Sequence, residues 1–314
     1  MSDVWWVALI LLIDVAHVYS TLYRTYFDPV ACKAYKNKLL VIPFVAFVVG
    51  VLLYSYQPLL FWRLLAYVAV FHFVRQQYGF MRMYSRKENS SRFFKTIDTI
   101  TIYAATIYPL LFWHITADRK FNWFVEGDFF RAKVPVNLLL AFTTLYYFIL
   151  IIYCTKEIIF SIQSKTINLP RNAVIAGTAA SWFFGIVYLN GDMAFTLLNV
   201  VSHGIPYMAL VWIYGKRNSK VTAKQPSRLL QSVFSRYGWL LFLAIIFLLA
   251  FVEEGLWDIT LWKEHTTVFS IFYWGNIKLS DSFLTLIVPL LALPQITHYI
   301  IDGFIWQVKK EIEV

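Results

Sequence analysis

The sequence is short of charge. Only 15% of its 314 residues are Asp, Glu, Lys or Arg, against about 25% in an ordinary soluble domain. It is also short of cysteine. Cys32 and Cys154 stand far apart in the chain, so there is no disulfide framework and no paired-cysteine metal site. Cys154 reads as a small apolar residue within a helix. There is no internal repeat, low-complexity tract or linker, and no G-x-S-x-G, Walker, haem-attachment or Rossmann signature. These absences exclude a disordered chain, a coiled coil, a small disulfide scaffold and the common nucleotide-binding and serine-hydrolase classes.

What fills the sequence is apolar. Hydrophobic residues make up 59% and aromatics 19%, and the mean hydropathy is +0.60. Several runs reach the roughly 20 residues that cross a bilayer as a helix. The reading is an all-α, polytopic transmembrane bundle forming one integral membrane domain over 1–314. Nine helices are expected, at 4–23, 39–57, 59–84, 96–115, 135–155, 172–189, 193–214, 238–256 and 283–307. The sixth and seventh form a tight hairpin through Leu189-Asn190-Gly191-Asp192. Segments 116–134 and 257–282 place Trp123, Phe124, Phe129, Phe130, Trp257, Trp262 and Trp274 among charges. They read as short interfacial helices at headgroup level. The first span has Asp3 and no basic residue before it and carries Asp14 and His17, so it is read as a retained helix and not a signal peptide.

The net charge of +10 does not point to nucleic acid, because the basic residues lie in short clusters between apolar spans. With the N-terminus outside and the C-terminus cytoplasmic, cytoplasmic segments hold twenty Lys and Arg against seven outside. That bias follows the positive-inside rule and the attraction of basic loops to anionic lipid. The location expected is a bacterial inner membrane or its equivalent, with membrane lipids as neighbours.

Ionisable side chains inside a bilayer cost at least ~2.5–3.5 kcal/mol each on insertion scales, so those present carry information. His17, His72, His203 and His298 fall within the first, third, seventh and ninth spans, which all run in the same direction. The basic residues taken as the cytoplasmic ends of these spans, Arg24, Arg82, Lys216 and Lys309, lie 7, 10, 13 and 11 positions downstream, with Arg75 the one basic residue in between. At about 1.5 Å per residue the four histidines share a level roughly 10–20 Å from the cytoplasmic surface. Each has a polar neighbour one turn away on the same helix face: Asp14, Gln76, Asn199 and Asp302. Four polar stripes that must avoid lipid face one another most simply in the bundle interior.

Imidazole and carboxylate together are ligands for iron, manganese, zinc or copper. The expected metal set is His17, His72, His203 and His298 with Asp14 and Asp302, and the aspartates serve either as ligands or as orienters of ligands. Gln76 and Asn199 suit hydrogen bonds that hold imidazole tautomers. Arg75, one turn from His72, either pairs with Asp14, Asp302 or an acidic substrate group, or snorkels toward the cytoplasm. Glu253, Glu254 and Asp258 read as a solvated outer rim. Gly177, Ser181 and Gly185 form the small-residue stripe of close helix packing. Pro206 and Pro294 flank two of the histidines and kink their helices.

The placement of His17 on the first helix and His72 some fifty residues later resembles the bacteriorhodopsin-related carotene dioxygenases, polytopic proteins that hold iron through histidines scattered over several helices. The later histidines, in Ser202-His203-Gly204-Ile205-Pro206-Tyr207 and His298-Tyr299-Ile300-Ile301-Asp302, are arranged differently, and no catalytic role carries over. The HxxxH and HxxHH clusters of desaturases are absent, and so are the motifs of ceramidase-like zinc hydrolases. The function expected is a membrane enzyme with a mononuclear or dinuclear metal centre, iron before zinc, acting on a lipophilic small molecule or lipid. The proposed chemistry gives Asp14, Asp302 and Arg75 catalytic parts. A zinc hydrolase of a lipid amide or ester, and a proton-coupled transporter using the same residues as a relay, are the alternatives.

Overall fold

The computed structural model describes residues 2–116, 119, 122–221, 227–273 and 279–306. Trp274 and Lys309 lie outside them. The described residues are 81% helix, with no strand among them. All nine expected segments are helical. We label them α1 (Asp3–Arg24), α2 (Lys36–Tyr56), α3 (Pro58–Ser85), α4 (Arg92–Ile115), α5 (Val136–Ser164), α6 (169–188), α7 (Met193–Asn218), α8 (Trp239–Trp262) and α9 (Asp281–Ile305). Seven of them, all but α4 and α6, are long and apolar enough to cross a membrane, which points to an integral membrane protein. In α2 and α5 only 17% and 11% of the most apolar window is buried. Helices that are apolar all round yet exposed are suited to lipid contact.

Two compact units divide the chain, 1–68 with 204–314, and 69–203. In the first, α1, α7 and α8 close a core in which Phe242, Ile246 and Ala250 repeat every four residues down one face of α8. These meet Leu11, Val15 and Tyr23 of α1 and Tyr207 and Val211 of α7. A second contact joins α2 to α9 at Gly50, where a Cβ would stand 2.9 Å from Pro289. Helix α9 breaks at Ala292 and restarts with Pro294 in its first turn. A proline is tolerated there because the first-turn N–H has no partner to lose.

Several of the histidine-bearing helices are irregular just ahead of those histidines. Val7–Val15 of α1 and Thr196–Val200 of α7 are π-helical, and His17 and His203 follow within three residues. His298 follows the α9 break. Bulged turns of this kind are frequent at functional sites.

The second unit is held by apolar packing of Met81, Ile97, Ile102, Tyr153 and Ile175 and by an ion network that sequence reading missed. Lys156 bonds Asp98 at 2.7 Å and Glu157 at 2.6 Å; Arg171 bonds Glu88 at 2.7 Å, Asp98 at 3.3 Å, and Glu157. No side chain in it is more than 12% exposed. Lys156 and Arg171 were expected in a cytoplasmic loop at 156–171. The helix instead continues to Ser164, and the charges satisfy one another inside the unit.

Other expectations need correction. No interfacial helix forms over 122–135; the chain turns there around Asp128, whose carboxylate accepts from the backbone N–H of Trp123, Phe124 and Val125 at 2.9, 2.6 and 3.2 Å. Side-chain capture of three successive N–H groups competes with helix hydrogen bonding. Burial, opposed by these N–H groups, raises the Asp128 pKa above its ordinary value. Segment 257–282 begins as the continuation of α8 through Trp262 and then holds only the short 3₁₀ turn Ser270–Phe272 among its described residues. Glu253, Glu254 and Asp258 are buried, at 4%, 9% and 2% exposure. Asp258 accepts from the backbone N–H of Glu264 and His265 and from the Tyr273 hydroxyl, which draws the loop over it. In the small-residue stripe only Gly185 is tightly approached; a Cβ at Gly177 would meet nothing within 4 Å. The expected hairpin between α6 and α7 is present, and Gly191 supplies its φ of +151°.

Candidate metal centre

In the first unit, α1 and α9 bring His17 and His298 edge to face, with ring centroids 5.0 Å apart at 79°. Both rings are almost fully buried, at 2% and 1% exposure. Tyr207 of α7 packs edge-on to each, at 5.8 Å from His17 and 5.0 Å from His298. Thr21, one turn beyond His17, places its hydroxyl 2.7 Å from His298 Nδ1 and 2.9 Å from the Tyr207 hydroxyl. Tyr207 in turn donates to Asp302 Oδ1, which also accepts from Trp306 Nε1 at 3.0 Å. Close approach of α7 to α1 is possible because Gly204 has no side chain. A Cβ there would stand 2.9 Å from the Ile13 carbonyl oxygen, inside the π-helical stretch.

In the second unit, His72 and His203 repeat the arrangement, with ring centroids 5.0 Å apart at 80°. They are 4% and 0% exposed. The Phe73 ring lies 3.8 Å from the His203 ring and shields it. Asn199 donates its amide to the Phe195 carbonyl at 3.3 Å. Its position depends on Gly185, where a Cβ would come within 2.6 Å of Asn199 Nδ2.

The unit division falls four residues before His72, within α3, and directly after His203, within α7. One ring nitrogen from each of His17, His72, His203 and His298 lies within 4.8 Å of the other three. This buried group could hold a metal ion. Donors about 2.1 Å from one ion stand roughly 3.4 Å apart in a tetrahedron and up to ~4.2 Å apart in trans positions. The 4.8 Å bound on the group is wider than either separation, so ligation would draw the rings in by up to about 1.4 Å.

The other expected site residues are placed less centrally. Asp14 Oδ1 is 3.9 Å from His17 Nδ1, with its side chain 27% exposed. Asp302 sits behind His298, reached through Tyr207 and Thr21. Neither aspartate belongs to the group of four. Gln76 is half-buried, and both polar atoms of its amide lack a protein partner among the described residues. Arg75 is exposed and donates to the Tyr103 hydroxyl at 2.6 Å. Its neighbour Gln77 points inward and accepts from Thr178 at 2.9 Å, joining α3 to α6. Thr21 and Tyr207 were not anticipated. Their signal was available, since they follow His17 and His203 by four residues, the spacing that singled out Gln76 and Asp302.

No family model, curated protein or solved structure matches the chain.

Proposed function

We propose that the chain is a membrane-embedded, metal-dependent enzyme, a non-haem iron oxidoreductase that oxidises a lipophilic substrate with dioxygen. The observation that carries the proposal is that one ring nitrogen from each of four buried imidazoles lies within 4.8 Å of the other three. One buried histidine is readily explained as a helix-to-helix hydrogen bond. Four of them grouped this closely are a donor set that neutral imidazoles offer to iron, copper and zinc.

The donor count favours iron over hydrolytic zinc. Four protein ligands complete the tetrahedral shell of zinc, whereas catalytic zinc keeps a position open for water. Iron takes further ligands, so four imidazoles leave it open positions. The bound metal would supply Lewis acidity and dioxygen chemistry. The chain's own contribution is geometric. Phe73 and Tyr207 wall the rings and exclude water, and Asp302 with Thr21 and Tyr207 holds His298. With both aspartates outside the group of four, the centre is mononuclear. The substrate enters from the bilayer, and the N-terminus lies outside with the C-terminus cytoplasmic, as the loop charges suggest.

A second reading is a proton-coupled carrier. It is favoured by the buried carboxylates Glu253, Glu254 and Asp258, and by Glu253 Oε2, which has no hydrogen-bond donor among the described residues.

Elemental analysis of the purified protein beside His203→Ala and His298→Ala separates these readings. One equivalent of iron, lost in both variants, is the expected result. Zinc at one equivalent would overturn the oxidoreductase in favour of the hydrolase. No metal, with proton flux in liposomes, would favour the carrier.

A further inference from the structure

Helices α1, α7 and α9 each set a hydrogen-bonding group four residues after a histidine: Thr21, Tyr207 and Asp302. In the first unit these three groups form a single file ending on His298 Nδ1. The direction of the file can be derived. Asp302 as a carboxylate has no proton to give, so its Oδ1 accepts from both the Tyr207 hydroxyl and Trp306 Nε1. Tyr207 has one proton, which is used on Asp302, so its oxygen must accept from Thr21. Thr21 likewise has one proton, used on Tyr207, so its oxygen must accept from His298. Each hydroxyl leaves one choice, and the choices propagate from Asp302 to the ring.

We infer that Asp302, acting through Tyr207 and Thr21, is the positioning carboxylate of the histidine centre, which fixes the His298 proton on Nδ1 and presents Nε2 as the ligand atom. Metal-binding histidines commonly give their second N–H to a carboxylate or carbonyl, and this sets both tautomer and ring orientation. Here the carboxylate acts across two hydroxyls. The inference deepens the metal-centre reading and rests on it for its consequence, although the tautomer itself needs no metal. It also gives Asp302 a part different from direct ligation. Its Oδ1 is occupied by two donors, and the chain of bonds leads to the ring atom on the far side from Nε2.

The test uses the full-length protein labelled with ¹⁵N-histidine, without metal, compared with Thr21→Val and Tyr207→Phe. Both variants are close in volume to the originals and cut the file at different points, so a fault in one can be checked against the other. The His298 resonances are assigned by their loss in His298→Gln. Wild type should show His298 protonated on Nδ1, and both variants should show a mixture or the Nε2-protonated form. A wild-type ring protonated on Nε2, or a tautomer unchanged in both variants, would overturn the inference. Titration with Co²⁺, followed by its visible absorption, reads the consequence. Affinity should fall about 10–100-fold in each variant. Absence of Co²⁺ binding to wild type would instead overturn the metal-centre reading, while the tautomer result would stand.

Discussion

The second unit's ion network and the histidine centre are both buried and polar, yet they are built on opposite principles. In the network, Lys156 and Arg171 meet Glu88, Asp98 and Glu157 at ion-pair distance, so opposite charges answer one another within the protein. In the histidine centre, four bases of one kind converge, and like groups cannot neutralise each other. The first arrangement is complete as structure. The second becomes useful when something cationic is shared among the rings. A buried polar cluster is thus informative through its balance of donors and acceptors, more than through its polarity.

The sharpest way to break this contrast is to remove one side of the network. Arg171→Leu takes the cation from Glu88 and leaves Asp98 and Glu157 to share Lys156. Loss of one partner from a buried ionic set costs about 3–5 kcal/mol. The expected outcome is a large fall in thermal unfolding temperature in detergent, or failure to accumulate folded protein. His72→Phe should unfold close to wild type while losing metal. If the histidine replacement were the more destabilising, the division between a structural and a functional cluster would be wrong.

A smaller effect is expected where helix packing supports the histidines. Gly204→Val forces a side chain against the Ile13 carbonyl, already 2.9 Å from the position a Cβ would take. Overpacking of this kind costs roughly 1–3 kcal/mol, and it acts beside His203. Unfolding temperature and Co²⁺ affinity should fall together. A variant with wild-type affinity would show that the approach of α7 to α1 does not set the geometry of the ligands.

The smallest effect concerns Asp128, a buried carboxylate with backbone donors in place of cations. Its raised pKa means that the folded state holds the proton more tightly than the unfolded chain. Stability therefore falls as pH rises from near the ordinary value of 3.8 through the folded value, and is level above it. Asp128→Asn should flatten that slope. Unfolding followed at Trp123 across the acid range checks this, and an unchanged slope would remove Asp128 from the account.

Much of the helical fold was legible because apolar length acts along the chain, one segment at a time. The four histidines were legible for a related reason: an imidazole in the middle of an apolar run is costly, and its distance from the end of that run is a one-dimensional measure of depth. The ion network was not legible. Lys156 and Arg171 look like loop cations until α5 is found to run to Ser164, and their partners lie on other helices at sequence separations that no periodicity encodes. Glu253, Glu254 and Asp258 misled for a similar reason, since burial at a helix end depends on the loop that folds over it. Arg75 and Gln77 are two residues apart, yet a helix places them on different faces; Arg75 is exposed and Gln77 is buried.

Helix α1 is held at both ends. Asp3 accepts from Thr267 and lies 2.9 Å from His265 Nδ1, while Thr21 is fixed to Tyr207 and His298. Between these moorings the widened turns of Val7–Val15 take up slack that a regular spiral could not. Deleting one residue there would restore i→i+4 bonding and rotate one mooring relative to the other by about 100°. Whichever gave way would be the weaker, so this stretch works as a vernier between the loop that carries His265 and Thr267 and the imidazoles.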